Sequence, residues 1–561
     1  MSPRNVVAVT IAAFTISWGV CLVFGSGFPL EHDELNFLLE GLRLPAQGKL
    51  GGYTHGPLIY ELMAAMEVAW YVVSRVLGHA HSPTDHLANL LANMGPHLKM
   101  GRVFTLLASV GCLVQVYRVG RIFAGQWAGA LATVLCATSL TFGIFSSLIK
   151  DDVFLWLFLL TAMDLVWRSE PGDKRRPFLA GVAIGAAFAT KYFAIFAMAL
   201  ALVPLLRRPR VAPALALRQG ALMGAGAALG VLLLFPFLIT DFHQVLTSVL
   251  FLSTATGKVA PAMAIKSYLT VHLPLVLGPV VGIAAIAELV VRCKKEPRGP
   301  VLLLVPAFLL LAFLGTRHSY TMSYHVYFVG IVAFLLAAAF AARVAELLKG
   351  WLRALPYLAL IAVVLFHPSY LWSAIKYGVL VTGPDTRAVA ADRIRALVPA
   401  NECVVLNGGV SGWNHFGPAI PSLDISPTGS TGAFAAAERA SLALRPGPHY
   451  KVVVSNEFST PRSIPATCQW LVVAREGTQS LFELGPLYDT LGTFGTDDRS
   501  TAPGFTPVAE VHAVPEQHSI MYPYMTSMDL DELRAIPLGR LWRERNLGPS
   551  FQIYRRTAGQ P

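Results

Sequence analysis

From Val6 to Phe24 the chain runs 19 residues without a charge, and similar runs recur as far as about residue 375. A helix of about 20 apolar residues crosses a hydrocarbon layer about 30 Å thick. Inside lipid, every backbone N–H and C=O must be satisfied within the protein, so an isolated apolar run can cross only as a helix. The recurrence therefore sets the fold class: a polytopic α-helical membrane protein. The remaining spans are expected near Val103–Gly125, Gln126–Ile149, Val153–Val166, Gln219–Thr240, Ser267–Val291, Val301–Thr316, Ser323–Ala342 and Ala354–Ser373. A hydrophobic fraction of 54% and a mean hydropathy of +0.55 exclude a soluble globule. Val6–Phe24 has the look of a signal peptide. No small-residue cleavage site follows it, and a dozen more apolar segments do, so it reads as a retained helix.

The basic residues fix the orientation. They cluster in alternate loops, at Arg118/Arg121, Arg168/Lys174/Arg175/Arg176, Arg207/Arg208/Arg210, Arg292/Lys294/Lys295/Arg298 and Arg343/Lys349/Arg353. Loops rich in Lys and Arg stay in the cytoplasm. With Arg4, this puts the amino terminus inside and a long loop, roughly residues 25–101, outside. Leu58–Leu77 is apolar but carries Glu61, Glu67 and Arg75, and counting it as a span would turn every later basic loop outward. It reads as an amphipathic helix on the outer surface. Phe178–Leu206 has Lys191 in its middle and basic clusters at both ends, which two short helices, in and back, accommodate. The total is about eleven membrane segments, with the carboxyl terminus outside. The net charge of +11 follows from the inside-loop bias, matches anionic inner-leaflet lipids and calls for no nucleic acid.

From about Lys376 the apolar runs shorten. The division is 1–375 for the membrane domain and 376–561 for an extracytoplasmic α/β domain, within the ordinary size range. Strands are expected at Val404–Leu406, Lys451–Val454, Trp470–Val473 and Phe551–Tyr554, and a helix at Thr386–Leu397. No internal repeat is visible. Of six cysteines, Cys403 and Cys468 fall in this outer domain, as a disulfide or as two free thiols. No pair has metal-site spacing.

In this topology a set of polar residues shares the outer face. His32-Asp33-Glu34-Leu35 follows the first span, and His55-Gly56-Pro57-Leu58 lies further along the same loop. Arg102 opens the second span. Lys150-Asp151-Asp152 fills the turn between the third and fourth, and Lys191 sits at the apex of the short helix pair. Arg317, His318, Tyr320 and Tyr324 lie where another outer loop re-enters. A carboxylate there can serve as general base on an acceptor hydroxyl or amine. Lys and Arg can hold a phosphate and stabilise it as a leaving group.

Asp33-Glu34-Leu35-Asn36-Phe37 resembles the Asp-Glu-x-x-Tyr pattern of glycosyltransferase family 39 and its bacterial relatives. His55-Gly56-Pro57-Leu58 resembles their His/Lys-Pro-Pro-Leu element. Arg102, Asp152 and Thr190-Lys191 match an Arg, an acid and a Thr-Lys pair of that family. It includes the protein O-mannosyltransferases and the lipid A aminoarabinose transferase. The resemblance spans roughly residues 1–345, with Phe37 in place of the Tyr and Gly56 in place of the first Pro. It implies a GT-C fold and a membrane glycosyltransferase with a polyprenyl-phosphate sugar donor, acting in a bacterial plasma membrane. Its acceptor is a protein, glycan or lipid that the sequence does not specify. In that reading Asp33 is the base, supported by Glu34, and Arg102 and Lys191 hold the lipid phosphate. Asp152 meets the sugar, the acceptor or an ion, with His55, Asp151, Arg317 and Tyr324 as further substrate or ion contacts. Attack opposite the phosphate would invert the anomeric centre. The sequence commits to no cofactor; a divalent cation stays open, because a monophosphate leaves less charge to neutralise than a diphosphate.

Plainer readings stand beside these. Asp33-Glu34 suits a solvated helix start, and His55 a loop histidine packed beside Pro57. Arg102 can snorkel. Asp151-Asp152 can be a turn with Lys150 as counter-ion. Asp164 and Arg168 read as a helical ion pair, and Tyr327 as part of an interfacial belt. Lys191 is harder to dismiss, since a charge in an apolar stretch is expensive. The alternative from another class is an ion-coupled transporter or lipid flippase, which would favour paired repeats and broken helices at matching positions.

Overall fold

The structure is a computed structural model. It describes residues 2–25, 27, 32–47, 55–170, 172–202, 213–255, 265–266, 268–295, 327–367, 369–407, 437, 440–441, 444, 450–455, 467–475, 505–511 and 550–557. The chain folds as two compact units. The first comprises Met1–Val20, Gly51–Glu61 and Arg102–Tyr377; the second comprises Cys21–Leu50, Leu62–Gly101 and Gly378–Pro561.

Six described helices are long and apolar enough to cross a membrane: Pro3–Phe24, Gly95–Ala124, Leu217–Leu234, Val276–Lys294, Tyr327–Leu347 and Gly350–Thr382. A seventh is reached if Gln126–Thr138 and Leu140–Ser146, bent by 67° at Ser139, form one span. The difference from about eleven has physical sources. Asp151–Arg168 is a helix of 18 residues with four charged ones. Phe178–Leu206 divides as the sequence suggests, into the helix Arg175–Thr190 and a 3-10 segment Tyr192–Leu202, each short. Val301–Thr316 lies outside the described residues. Leu58–Val76, with Glu61, Glu67 and Arg75, is not among the spans.

In the first unit, Arg175–Thr190 packs between Asp151–Arg168 and Pro213–Leu234. Its approach to Pro213–Leu234 is made by small residues. A Cβ on Gly181 would lie 2.0 Å from the Met223 carbonyl oxygen, and one on Gly226 would lie 2.0 Å from that of Phe178. Gly181/Gly185 and Gly226/Gly230 are both spaced by four, the spacing that lets membrane helices touch backbone to backbone. Asp151–Arg168 and Arg175–Thr190 are joined by a short turn, so they run antiparallel. At the turn end Asp164 takes Arg168 at 2.8 Å, as the sequence suggests, and also Arg118 at 2.7 Å. Asp151, Asp152 and Lys191 are left at the other end. Tyr327 is no belt residue: it is fully buried, 4.8 Å from the Trp156 ring and stacked on Phe142.

The second unit carries a five-stranded mixed sheet, in the order β2-β1-β3-β5-β4, from β1 (Cys403–Asn407), β2 (Lys451–Ser455), β3 (Trp470–Arg475), β4 (Phe505–Val511) and β5 (Ser550–Arg556). β2, β1 and β3 are parallel, while β5 is antiparallel to both β3 and β4. Alternation divides the faces. Val404, Trp470, Val472, Phe551 and Ile553 pack with Ala390, Ala391 and Ile394 of the helix Thr386–Leu397; Val405, Leu471 and Tyr554 pack on the other side. Asp385 caps that helix by accepting from the Arg387 N–H at 2.9 Å, and its carboxylate pairs with the Arg387 side chain. Four strands coincide with sequence expectations. The fifth, β4, escapes them because Pro507 interrupts its pattern. That proline is tolerated at a register shift on an edge strand. Cys403 and Cys468 are disulfide-bonded.

Candidate functional site

The site begins with three backbone events in the first unit. The helix Arg175–Thr190 ends at Lys191, which is extended at φ −147° and ψ 125°. The adjacent carbonyl of Thr190 accepts a hydrogen bond from the Gly56 N–H at 3.1 Å. The Tyr192 hydroxyl donates to the His55 carbonyl at 3.0 Å. Residues 55–56 are thereby strapped to the Lys191 turn. The strap is tight: a Cβ on Gly56 would sit 2.2 Å from the Ala189 carbonyl oxygen and 2.5 Å from that of Thr190. A Cβ there would force the backbone to move, which accounts for the glycine at 56.

The side chains then converge. His55 Nδ1 lies 3.1 Å from Asp151 Oδ2. Lys191 Nζ donates to Asp152 Oδ1 at 2.7 Å and lies 3.5 Å from Asp151 Oδ1. Asp151, Asp152 and the neighbouring Lys150 are all at least 98% buried. Both aspartates occupy the first turn of their helix, where the backbone dipole favours negative charge. Lys191, from a different helix, is a counter-ion of the Asp151-Asp152 pair in addition to the neighbouring Lys150. Asp151 Oδ1 and Asp152 Oδ2 are buried without a hydrogen-bond partner among the described residues. Beneath the cluster, Trp156 stands one turn along the same helix, walled by Phe142, Phe145 and Tyr327.

Other expected site residues lie as follows. Arg102 is 2% exposed, in the helix Gly95–Ala124, and belongs to the first unit. Asp33 and Glu34 occupy the opening turn of the helix His32–Gln47, in the second unit. Glu34 is fully buried, unlike a solvated helix start. Arg317, His318, Tyr320 and Tyr324 lie outside the described residues.

Two acids were not singled out as site candidates from sequence. Glu61, in the first turn of Leu58–Val76, has a buried oxygen without a hydrogen-bond partner among the described residues, and burial pushes its carboxyl up to about 7. Glu67, in the second unit, is clasped by His97 Nδ1 at 2.9 and 3.0 Å and by His86 Nε2 at 3.3 Å. Burial alone would raise the Glu67 carboxyl; hydrogen bonds and charge from the two histidines outweigh it and hold the group below the usual carboxylate range. No short motif marks this triad, since its members come from three helices. Among the described residues, no group of three or more His, Cys, Asp or Glu is arranged to hold a metal ion.

Residues 86–240 match the model of the dolichyl-phosphate-mannose-protein mannosyltransferase family. The matched segment is a minority of the chain. It contains Arg102, Asp151, Asp152 and Lys191, while Asp33, Glu34 and His55 precede it. No curated protein matches the sequence. Among solved structures, the chain is similar to ArnT from Cupriavidus metallidurans bound to undecaprenyl phosphate, at 12% identity and TM-score 0.47, over 98% of each chain. It is also similar to the oligosaccharyltransferase AglB from Archaeoglobus fulgidus in complex with an inhibitory peptide and a dolichol-phosphate. That likeness is at 12% identity and TM-score 0.41, over 83% of this chain and 69% of that one. A third is the arabinofuranosyltransferase AftD from Mycobacteria, at 16% identity and TM-score 0.41, over the whole of this chain and 40% of that one.

Proposed function

We propose that the protein is a GT-C glycosyltransferase that moves a sugar from a polyprenyl monophosphate to an acceptor on the extracytoplasmic face of a bacterial plasma membrane. The observation that carries the reading is the Lys191–Asp152–Asp151–His55 cluster, in which Lys191 and the two buried aspartates lie inside the segment matching a dolichyl-phosphate-mannose-protein mannosyltransferase family and His55 precedes it. A partly buried ammonium among oriented acids suits a lipid phosphate and its sugar.

In the proposed reaction, Asp33 takes the proton of the acceptor hydroxyl or amine, supported by Glu34. The acceptor atom bonds to the anomeric carbon as the bond from that carbon to the phosphate oxygen breaks. The electron pair leaves with the phosphate, which Lys191 and Arg102 stabilise. Attack from the face opposite the phosphate inverts the centre. Asp152 receives sugar hydroxyls, Asp151 and His55 hold the cluster in register, and Arg317 and Tyr324 complete the substrate contacts. Residues 1–375 form the catalytic membrane domain, with the amino terminus in the cytoplasm, and 376–561 an extracytoplasmic domain. The test is to incubate purified protein with a panel of radiolabelled polyprenyl-phosphate sugars and follow loss of donor. One sugar should turn over, and Asp33→Asn should abolish turnover in a folded protein. Full activity in that variant, or transport of lipid without donor turnover, would defeat the proposal.

A further inference from the structure

We propose that Asp152 competes with the lipid phosphate for Lys191, so that the protein releases its phosphate product once the sugar has left. The inference rests on the reading of Lys191 as the phosphate-holding residue. Lys191 already has an anion against it, Asp152 at 2.7 Å, and a second at 3.5 Å. A phosphate arriving at this ammonium must displace a carboxylate.

The two carboxylates are unequal. Asp151 is anchored through Oδ2 to His55, whose carbonyl is in turn held by Tyr192. Asp151 Oδ1 and Asp152 Oδ2 are both buried and accept from no described residue, but the hydrogen bond that holds Asp152 comes from Lys191 itself. Without an anchor like that of Asp151 to His55, Asp152 is the carboxylate that can turn away from Lys191, and its Oδ2 is then available to sugar hydroxyls. While the donor is bound, those hydroxyls replace the ammonium as its partners.

Transfer changes the charges. Cleavage of the bond between the anomeric carbon and oxygen leaves the electron pair on the phosphate. The acceptor's proton goes to the base, and a singly charged diester becomes a monoester carrying up to two negative charges. Lys191 alone would hold this product more tightly than the substrate and stall turnover. The sugar, however, departs with the acceptor and takes its hydroxyls with it. A buried carboxylate without partners is strongly disfavoured, so Asp152 reclaims Lys191 and the phosphate leaves. The pair thus senses whether a sugar is still attached.

The test measures binding of undecaprenyl phosphate to purified full-length protein in detergent, for wild type, Asp152→Asn, Asp152→Glu and Lys191→Met. Asp152→Asn should bind at least tenfold more tightly than wild type, Asp152→Glu should bind near the wild-type level, and Lys191→Met should lose binding. If Asp152→Asn does not fold, judged by its thermal transition, Asp152→Ser makes the same charge change. Equal or weaker binding by the charge-free variant, with binding lost in Lys191→Met, overturns the competition and leaves the phosphate reading standing. Wild-type binding by Lys191→Met overturns both.

Discussion

Replacing Gly56 with Ala tests whether the strap sets the geometry of the cluster. The added methyl would meet the Ala189 oxygen at 2.2 Å and the Thr190 carbonyl carbon and oxygen at 2.5 Å. These are backbone atoms at the end of a helix packed on both sides, so no flexible side chain can yield. The strap itself must retreat by about 1 Å or more to reach ordinary van der Waals contact. Three links stand at 3.0–3.1 Å: Gly56 to Thr190, Tyr192 to the His55 carbonyl, and His55 to Asp151. A retreat of that size takes all three beyond hydrogen-bond range. At about 0.5–1.5 kcal/mol each, stability should fall by roughly 1.5–4.5 kcal/mol. Turnover should fall further, because an error of ~1 Å in positioned groups can reduce rate on the order of 100-fold. The assay is loss of radiolabelled donor by purified protein, beside a thermal melt of the same sample. A Gly56→Ala variant with turnover within twofold of wild type would refute the argument that residues 55–56 hold the reacting groups in place.

Other outcomes follow from the same structure. Burial raises Glu61 from its ordinary 4.5 to about 7, so the folded state favours the neutral acid. Its contribution to stability is complete below pH 4.5 and disappears as pH rises through 7. Glu61→Gln should be more stable than wild type at pH 8, with the gap closing by pH 4.5; an unchanged gap across that range would contradict the assignment. Glu67 is held below 4.5, so its contribution is complete above that pH and is lost as pH falls through the folded value. Thermal melts should show Glu67→Gln less stable than wild type at pH 7 and the two converging in acid. Removing the Cys403–Cys468 bridge by Cys403→Ser should lower stability of the sheet unit by about 2–4 kcal/mol, and hydrogen exchange across β1 and β3 should rise; unchanged exchange would count against it.

The membrane character, most spans and four of five strands were legible because each depends on local pattern. Apolar length dictates a spanning helix, and period-two alternation dictates a half-buried strand. β4 was illegible because Pro507 breaks the alternation, and only its edge position makes it tolerable. The Asp164–Arg168 pair was readable from its spacing of four, whereas Arg118, its second partner, arrives from another helix. Tyr327 looked interfacial from its place at the end of an apolar run. Burial against Trp156 depends on how three helices meet.

Sequence by itself determined that this chain enters lipid as helices and that acids and bases gather near their ends. Those outcomes follow from the composition of each segment alone. Only the tertiary structure decided which charge answers which. Lys191 faces Asp152 in preference to solvent, His55 leans on Asp151, and Glu67 is shared by two histidines from different helices. A hydrogen-bonded pair needs its atoms within about 3 Å, and separations of that order between residues 39 or 96 positions apart are set by packing, which no single segment encodes.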